Sequence, residues 1–166
     1  IYVRFWGVRG SIATPGKDTV KYGGNTSCVE VRCGNEIIIL DAGTGIRELG
    51  NKLLKEKPRH INILFSHFHY DHIEGFPFFS PIFNRYYSIT LIGKPKLEGT
   101  LEQLFATQLM CPYFPLTLKE LDAKIAFHEV DRENFIRRGD ISIRLEHLNH
   151  PGGCIGYRIE YRGSSL

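Results

Sequence analysis

An α/β fold, with two β-sheets packed face to face and helices outside them, is what the order of apolar segments in this chain predicts. Two batches of short strand-like runs flank stretches of helical periodicity, which is the first ground for it. The second is a loop dense in imidazoles, Ser66-His67-Phe68-His69-Tyr70-Asp71-His72, placed directly behind the buried-strand pattern Ile61, Ile63, Leu64, Phe65. At 166 residues the chain is long enough for one domain with a sizeable core, and residues 1–166 are read as one.

Residues 1–7 alternate Ile1, Val3 and Phe5 with other side chains and read as a strand at the edge of the core. Residues 9–24 are punctuated by glycine and proline, with Thr14-Pro15-Gly16 as a turn; so long a loop tends to carry function. Residues 27–32 and 36–40 are β-branched-rich runs joined through Cys33-Gly34-Asn35, a hairpin pattern. Asp41 ends the second run, and Gly43 and Gly45 open a helix with Ile46, Leu49, Leu53 and Leu54 on one face. Lys57-Pro58-Arg59 closes that helix, and a strand over residues 60–66 leads into the histidine loop. Gly75-Phe76-Pro77-Phe78-Phe79 reads either as core or as a wall of a cleft.

Residues 88–93 read as another strand, and 97–110 as a helix with Leu97, Leu101, Leu104 and Phe105 inward. Pro112-Tyr113-Phe114-Pro115 breaks it, as the border of a substrate entrance or as a plain structural stop. A helical turn over 116–121 and strand-like runs over 124–130, 135–137, 141–147 and 154–161 complete the pattern.

Hydrophobic residues at 42% and charged residues at 23% argue against disorder. A net charge of +3 suits an anionic substrate but falls short of the dense basic stripe of a dedicated nucleic-acid binder. Cys28, Cys33, Cys111 and Cys154 show no Cys-x-x-Cys spacing and are expected to be reduced thiols in a cytoplasmic protein. No apolar run approaches the ~20 residues of a membrane span. The chain opens at Ile1, as a trimmed start would.

The chemistry points to a metal. His67, His69, Asp71 and His72 are four coordinating side chains on one short loop, and neutral imidazoles with a carboxylate suit zinc and similar borderline cations. In extended chain, residues two apart share a face, so His67 and His69 converge on one ion while the following turn swings Asp71 and His72 toward another. Two ions roughly 3.5–4 Å apart form the clamp of two-metal hydrolysis. The spacing does not match the helical His-Glu-x-x-His pattern.

His67-x-His69-x-Asp71-His72 after a strand resembles the motif of the metallo-β-lactamase-fold hydrolases. The likeness extends to Gly7-Val8-Arg9-Gly10-Ser11, to Tyr22-Gly23-Gly24-Asn25-Thr26-Ser27-Cys28, to Leu40-Asp41-Ala42-Gly43-Thr44-Gly45 and to His150-Pro151-Gly152-Gly153. Together these look like the phosphodiesterase-type branch, which includes ribonuclease Z and cyclic phosphodiesterases. The resemblance implies an αββα sandwich of two mixed sheets, and a phosphodiesterase using a metal-activated water. It also implies two divalent ions, zinc by default, with manganese or iron fitting nearly as well.

By the family pattern His150 completes a three-histidine site with His67 and His69, whereas His147, if still within its strand, points differently. Asp71 and His72 hold the second ion, and Asp71 is the catalytic residue that orients the nucleophile or takes its proton. Asp41 either braces the histidine loop or caps the following helix. Asn25 and Ser27 either present polar groups to a phosphate or fix the start of their strand. Gly152 and Gly153 either let backbone approach the ions or make the turn.

The implied partner is a small phosphodiester or nucleotide-like substrate, with RNA as the larger alternative, no membrane, and a homodimer as one option. Thioester or lactam hydrolysis and a non-catalytic metal-binding or sensory role are the competing readings. In the resembling family a bridging aspartate and a final histidine follow the strand that matches residues 154–161. Nothing after His150 except Glu160 carries a donor of that kind, so the expectation is a fragment lacking its C-terminal part.

Overall fold

The computed structural model describes residues 1–95, 99–130 and 135–166. Six strands lie in sequence order in one mixed sheet: β1 (Tyr2–Gly7), β2 (Cys28–Cys33), β3 (Glu36–Leu40), β4 (His60–Leu64), β5 (Ser88–Gly93) and β6 (Lys124–Glu129). The β1–β2 and β2–β3 pairings are antiparallel, and those from β3 to β6 are parallel. The change comes where connections lengthen: two residues join β2 to β3, but α1 (Ile46–Glu56) carries the chain back from β3 to β4. α2 (Tyr70–Ile73) and two short 3₁₀ turns lie between β4 and β5, and α3 (Leu101–Gln108) lies between β5 and β6.

The second sheet holds β7 (Phe135–Arg138), β8 (Ile141–Leu148), β9 (Cys154–Tyr161) and β10 (Ser164–Ser165), in the order β10-β9-β8-β7. It is antiparallel throughout rather than mixed, because its strands follow one another through short turns that cannot make a parallel crossover.

The period of two along each central strand builds two cores. Ile37, Ile39, Ile61, Ile63, Ile89 and Leu91 face the helices and meet Leu49, Leu53, Phe76 and Phe105. Val31, Ile38, Leu64 and Ile92 face the other way and meet Ile143, Leu145, Ile155 and Ile159 of the second sheet. Strands buried on both faces are the mark of a covered parallel sheet, and they hold the loop after β4 rigidly. Among the described residues the helical members of these cores all belong to the first, so the helices stand outside the six-stranded sheet.

The expected elements are present, with these differences: the turn expected after His69 is one helical turn, Tyr70–Ile73, and the strand expected over 60–66 ends at Leu64. The helix expected over 97–110 runs from Leu101 to Gln108, because Thr100 and Gln103 form a reciprocal cap that starts it; Leu97 lies outside the described residues. The turn expected over 116–121 is a single 3₁₀ turn, Leu118–Glu120. β10 has no counterpart in the sequence pattern, since two exposed serines carry no periodicity. Cys28, Cys33, Cys111 and Cys154 are all free thiols. Among the described residues no helix is long and apolar enough to cross a membrane.

One buried charge ties β1, β2 and α1 together. The Glu30 carboxylate, fully inaccessible, accepts from Trp6 Nε1 at 2.9 Å, Arg32 Nε at 2.5 Å and Lys52 Nζ at 3.1 Å. Burial alone would raise its pKa, but these donors hold it below the ordinary carboxylate value. Glu30→Ala removes the shared acceptor of Trp6, Arg32 and Lys52, of which Arg32 and Lys52 keep Glu56 nearby, and is expected to cost about 1–3 kcal/mol, read as a shift of the urea midpoint. A lowered folded-state pKa means that Glu30 contributes above the unfolded value of about 4.3, and that the contribution is lost as pH falls through the folded pKa. Wild type and Glu30→Ala should therefore converge in stability on acidification.

Candidate metal centre

The site forms where β3, β4 and β8 end, at the carboxyl edge of the parallel strands where open α/β sheets place their ligands. After β4, Phe65 still pairs with β5 through its N–H on Ile92 O at 2.9 Å, so Ser66 to His69 leave a rigid base. His69 has extended backbone and immediately precedes α2, whose first turn carries Asp71 and His72. On the facing sheet β8 runs on to Leu148, and His150 lies just beyond it. The chain then reverses through Gly152 and Gly153, with φ of 77° and 75°, and Gly153 N–H bonds His150 O at 2.6 Å. These glycines make the turn that aims His150.

Three ring nitrogens meet there. His67 Nε2 lies 3.1 Å from His69 Nδ1, His150 Nε2 lies 3.3 Å from the same atom, and the donor atoms of all three residues are within 4.8 Å of one another. Nitrogens bound tetrahedrally to zinc at roughly 2.0–2.1 Å sit about 3.3–3.4 Å apart, the edge of the tetrahedron, so the spacing fits a shared cation. Beside them, His72 Nε2 and Asp71 Oδ2 are 3.3 Å apart. Among the described residues the three-histidine group is the one set of three or more donors with this convergence.

The surroundings fix which nitrogens point inward. Asp41 Oδ2 lies 2.7 Å from His72 Nδ1 and, as a carboxylate that only accepts, takes a hydrogen bond from Nδ1–H, which turns Nε2 away from it. Ser66 Oγ donates to Asp41 Oδ1 and Oδ2 at 3.0 and 2.9 Å, and lies 3.0 Å from His67 Nδ1. With that hydroxyl hydrogen committed to Asp41, His67 Nδ1 is the donor and its Nε2 faces the cluster. Burial, then the nearby His72, pushes the His67 pKa down to about 4, so its ring is neutral at pH 7 as ligation requires. His72 goes the other way: burial opposes its charge, but Asp41 and Asp71 raise its pKa.

Asp71 is nearly buried; burial would raise its carboxyl, but the Ser11 amide on Oδ2 at 2.9 Å and the adjacent His72 hold it below the usual range. The donor set is thus three imidazoles, with a carboxylate and a fourth imidazole alongside, and it suits a divalent cation.

His67, His69, Asp71, His72 and His150 are therefore brought together. Asp41 joins them as a brace and not as a helix cap: α1 begins after Gly45 with no side-chain cap. Its φ of 61° directs the carboxylate back at the histidine loop, where it also accepts from Ser66 N–H at 2.8 Å and Ser27 Oγ at 3.2 Å. Ser27 thus reaches the ligands only through Asp41. Asn25 stays apart; its Oδ1 accepts from Thr44 Oγ1 at 3.2 Å and its backbone carbonyl from the Val8 and Arg9 amides at 3.0 Å, so it fixes the start of its strand. His147 is within β8, opposite Ile155, and outside the three-donor group.

Sequence reasoning missed Ser66 and Ser11. A serine at the strand end directly before His67 was a visible signal for the first; the second lies in the motif Gly7-Val8-Arg9-Gly10-Ser11 but acts through a backbone amide 60 residues from its partner, a contact the motif does not name. Phe76 and Phe79 belong to the core, while Phe78 and Phe114 pack edge to face at 6.0 Å. Beside His69 opens a pocket of about 430 Å³, walled in part by Phe68, Pro95 and Leu104.

The family model for the beta-lactamase superfamily domain matches residues 36–166. The chain belongs to that superfamily. Ribonuclease Z of Clostridium kluyveri is 30% identical over 129 residues, covering 74% of this chain and 39% of that protein. Ribonuclease Z of Streptococcus pneumoniae is 27% identical over 135 residues, 75% of this chain and 40% of its own length. The chain thus spans about two fifths of the curated relatives it matches.

Among solved structures, the human short-form tRNase Z superposes with a TM-score of 0.64 at 17% identity, over 98% of this chain and 66% of that one. A diphosphatase from the PhnP family gives 0.66 at 20%, over 96% and 61%. The metallo-beta-lactamase fold protein YhfI of Bacillus subtilis gives 0.66 at 17%, over 98% and 59%. These superpositions establish the metallo-β-lactamase fold for this superfamily domain.

Proposed function

We propose that this domain is the metal-binding part of a metal-dependent phosphodiesterase acting on a small phosphodiester, a nucleotide-like molecule or RNA in the cytoplasm. The observation that carries the reading is the convergence of His67 Nε2, His69 Nδ1 and His150 Nε2 within 4.8 Å of one another, with His69 Nδ1 at 3.1 and 3.3 Å from the other two. These three nitrogens hold one divalent ion, zinc by default; Asp71 Oδ2 and His72 Nε2 supply the protein donors of a second. Divalent cations in such a centre supply Lewis acidity, which acidifies water toward neutral pH and offsets charge on phosphate oxygens.

The chain's own residues do the rest. Asp71, anionic at neutral pH, accepts and holds the proton of the attacking water at a carboxylate oxygen. Ser11 keeps that carboxylate aimed, and Asp41 with Ser66 keeps His67 and His72 in the ligating tautomer. The relatives named ribonuclease Z support a phosphodiester over a thioester or lactam.

The test is hydrolysis of bis(4-nitrophenyl) phosphate by protein stripped with chelator and reloaded with zinc or manganese. Turnover that vanishes on stripping and returns on loading is the expected result; none under either metal, with a thioester hydrolysed instead, overturns the reading. Asp41→Ala should weaken zinc affinity about 10–100-fold, measured by competition with a chromogenic chelator, because it frees the His72 ring and the Ser66 hydroxyl together.

A further inference from the structure

We propose that the pocket beside the histidine cluster selects substrates by a flat aromatic group carried on the phosphodiester, excluding small alkyl esters. This rests on the phosphodiesterase reading above and names the substrate class of the same site. The pocket, at about 430 Å³, has the size of a small-molecule site. One end is His67 and His69, so a ligand filling it has its other end at the three-nitrogen cluster. Phe68, Pro95, Leu104, Pro151 and Ile155 line most of it, Lys94 and His147 line it as well, and no carboxylate does among the described residues. A largely apolar lining with basic side chains and a cation-binding end calls for a ligand that is apolar at one end and anionic at the other.

The shape of the wall favours a planar group. The Phe68 ring is held from behind by Phe65, with centroids 5.6 Å apart, and lies so close over Gly93 that a Cβ there would come 2.8 Å from Phe68 Cζ. A ring fixed in this way offers a flat face for offset stacking, which adds to the burial of an aromatic ligand and does nothing for a methyl ester. Leu104 stands on α3, half-buried, and forms a wall that belongs to neither the histidine loop nor its braces. It sets how much room the aromatic group has.

Zinc-loaded protein titrated calorimetrically with phenylphosphonate and with methylphosphonate tests this without requiring turnover. The expected result is at least tenfold tighter binding of the phenyl compound. That ratio should fall below twofold in Leu104→Trp, which fills the pocket, and shrink in Leu104→Gln, which makes the wall polar; melting curves confirm that each variant folds. Equal affinities in wild type, no binding of either compound, or a ratio unchanged in both variants overturns the proposal. Bis(4-nitrophenyl) phosphate turnover in the same preparations separates the two levels. Aryl preference without turnover leaves the pocket standing and removes the hydrolase reading, and turnover without aryl preference does the reverse.

Discussion

Gly75→Ala is expected to destabilise the domain by about 3–5 kcal/mol, at the upper end of what overpacking costs. The added Cβ would sit 2.1 Å from Gly43 O, 2.7 Å from Gly43 C and 2.8 Å from Ile46 Cγ2. The nearest atoms are backbone and cannot rotate away. Gly75 N–H also bonds Ala42 O at 2.9 Å, and Ala42 N–H bonds His72 O at 2.7 Å, so the segment after α2 is strapped to the turn between β3 and α1. Thr26, wholly buried, sits across the same junction, giving its hydroxyl to Glu74 Oε1 at 3.0 Å and taking the Thr44 N–H at 2.8 Å. Pushing these layers apart moves Asp41 away from His72, so stability and metal affinity should fall together. The melting temperature should drop by roughly 10 °C. Gly10→Ala, where nothing lies within 4 Å of the new Cβ, should stay within about 0.5 kcal/mol of wild type. A Gly75→Ala melting curve that overlays wild type would contradict this packing.

Asp71→Ala is expected to lower phosphodiester turnover by about 10²–10⁴-fold in metal-loaded protein, the range for removing a positioned general base. Its Oδ2 takes the Ser11 amide at 2.9 Å and lies 3.3 Å from His72 Nε2, so a single oxygen ties the long loop after β1 to the ligand set. With that oxygen gone, the loop loses its anchor to α2 and the site loses its only nearly buried carboxylate besides the brace Asp41. The thermal midpoint should change little, since Ser11 is exposed and its amide can turn to water. A variant keeping more than a tenth of wild-type turnover would remove Asp71 from the proton-handling role.

Much of the fold was legible because period-two burial is written directly into the strands. Ile37-Ile38-Ile39 alternates between the two cores as a doubly covered strand must, and residues 36–40, 88–93 and 154–161 form strands with the bounds that the pattern implies. Donor spacing on the histidine loop was equally plain, since four ligating side chains at His67, His69, Asp71 and His72 have one economical use. What was not legible depends on contacts distant in sequence. Asp41 read equally well as a cap until its positive φ and its bonds to Ser66 and His72 were seen. Whether Phe76 and Phe79 walled a cleft or filled the core turned on Phe105, which packs 4.8 Å from Phe76 across a connection of some thirty residues. The start of α3 was overrun because helical periodicity does not reveal a cap at Thr100.

The account rests most directly on His67, His69 and His150 sharing one ion, and zinc per chain measures that. Protein loaded with zinc, dialysed free of excess and analysed by elemental mass spectrometry should carry at least one equivalent, with His69→Ala and His150→Ala each falling well below one. A wild-type chain without zinc, or a His69→Ala chain that keeps the full equivalent, would contradict it.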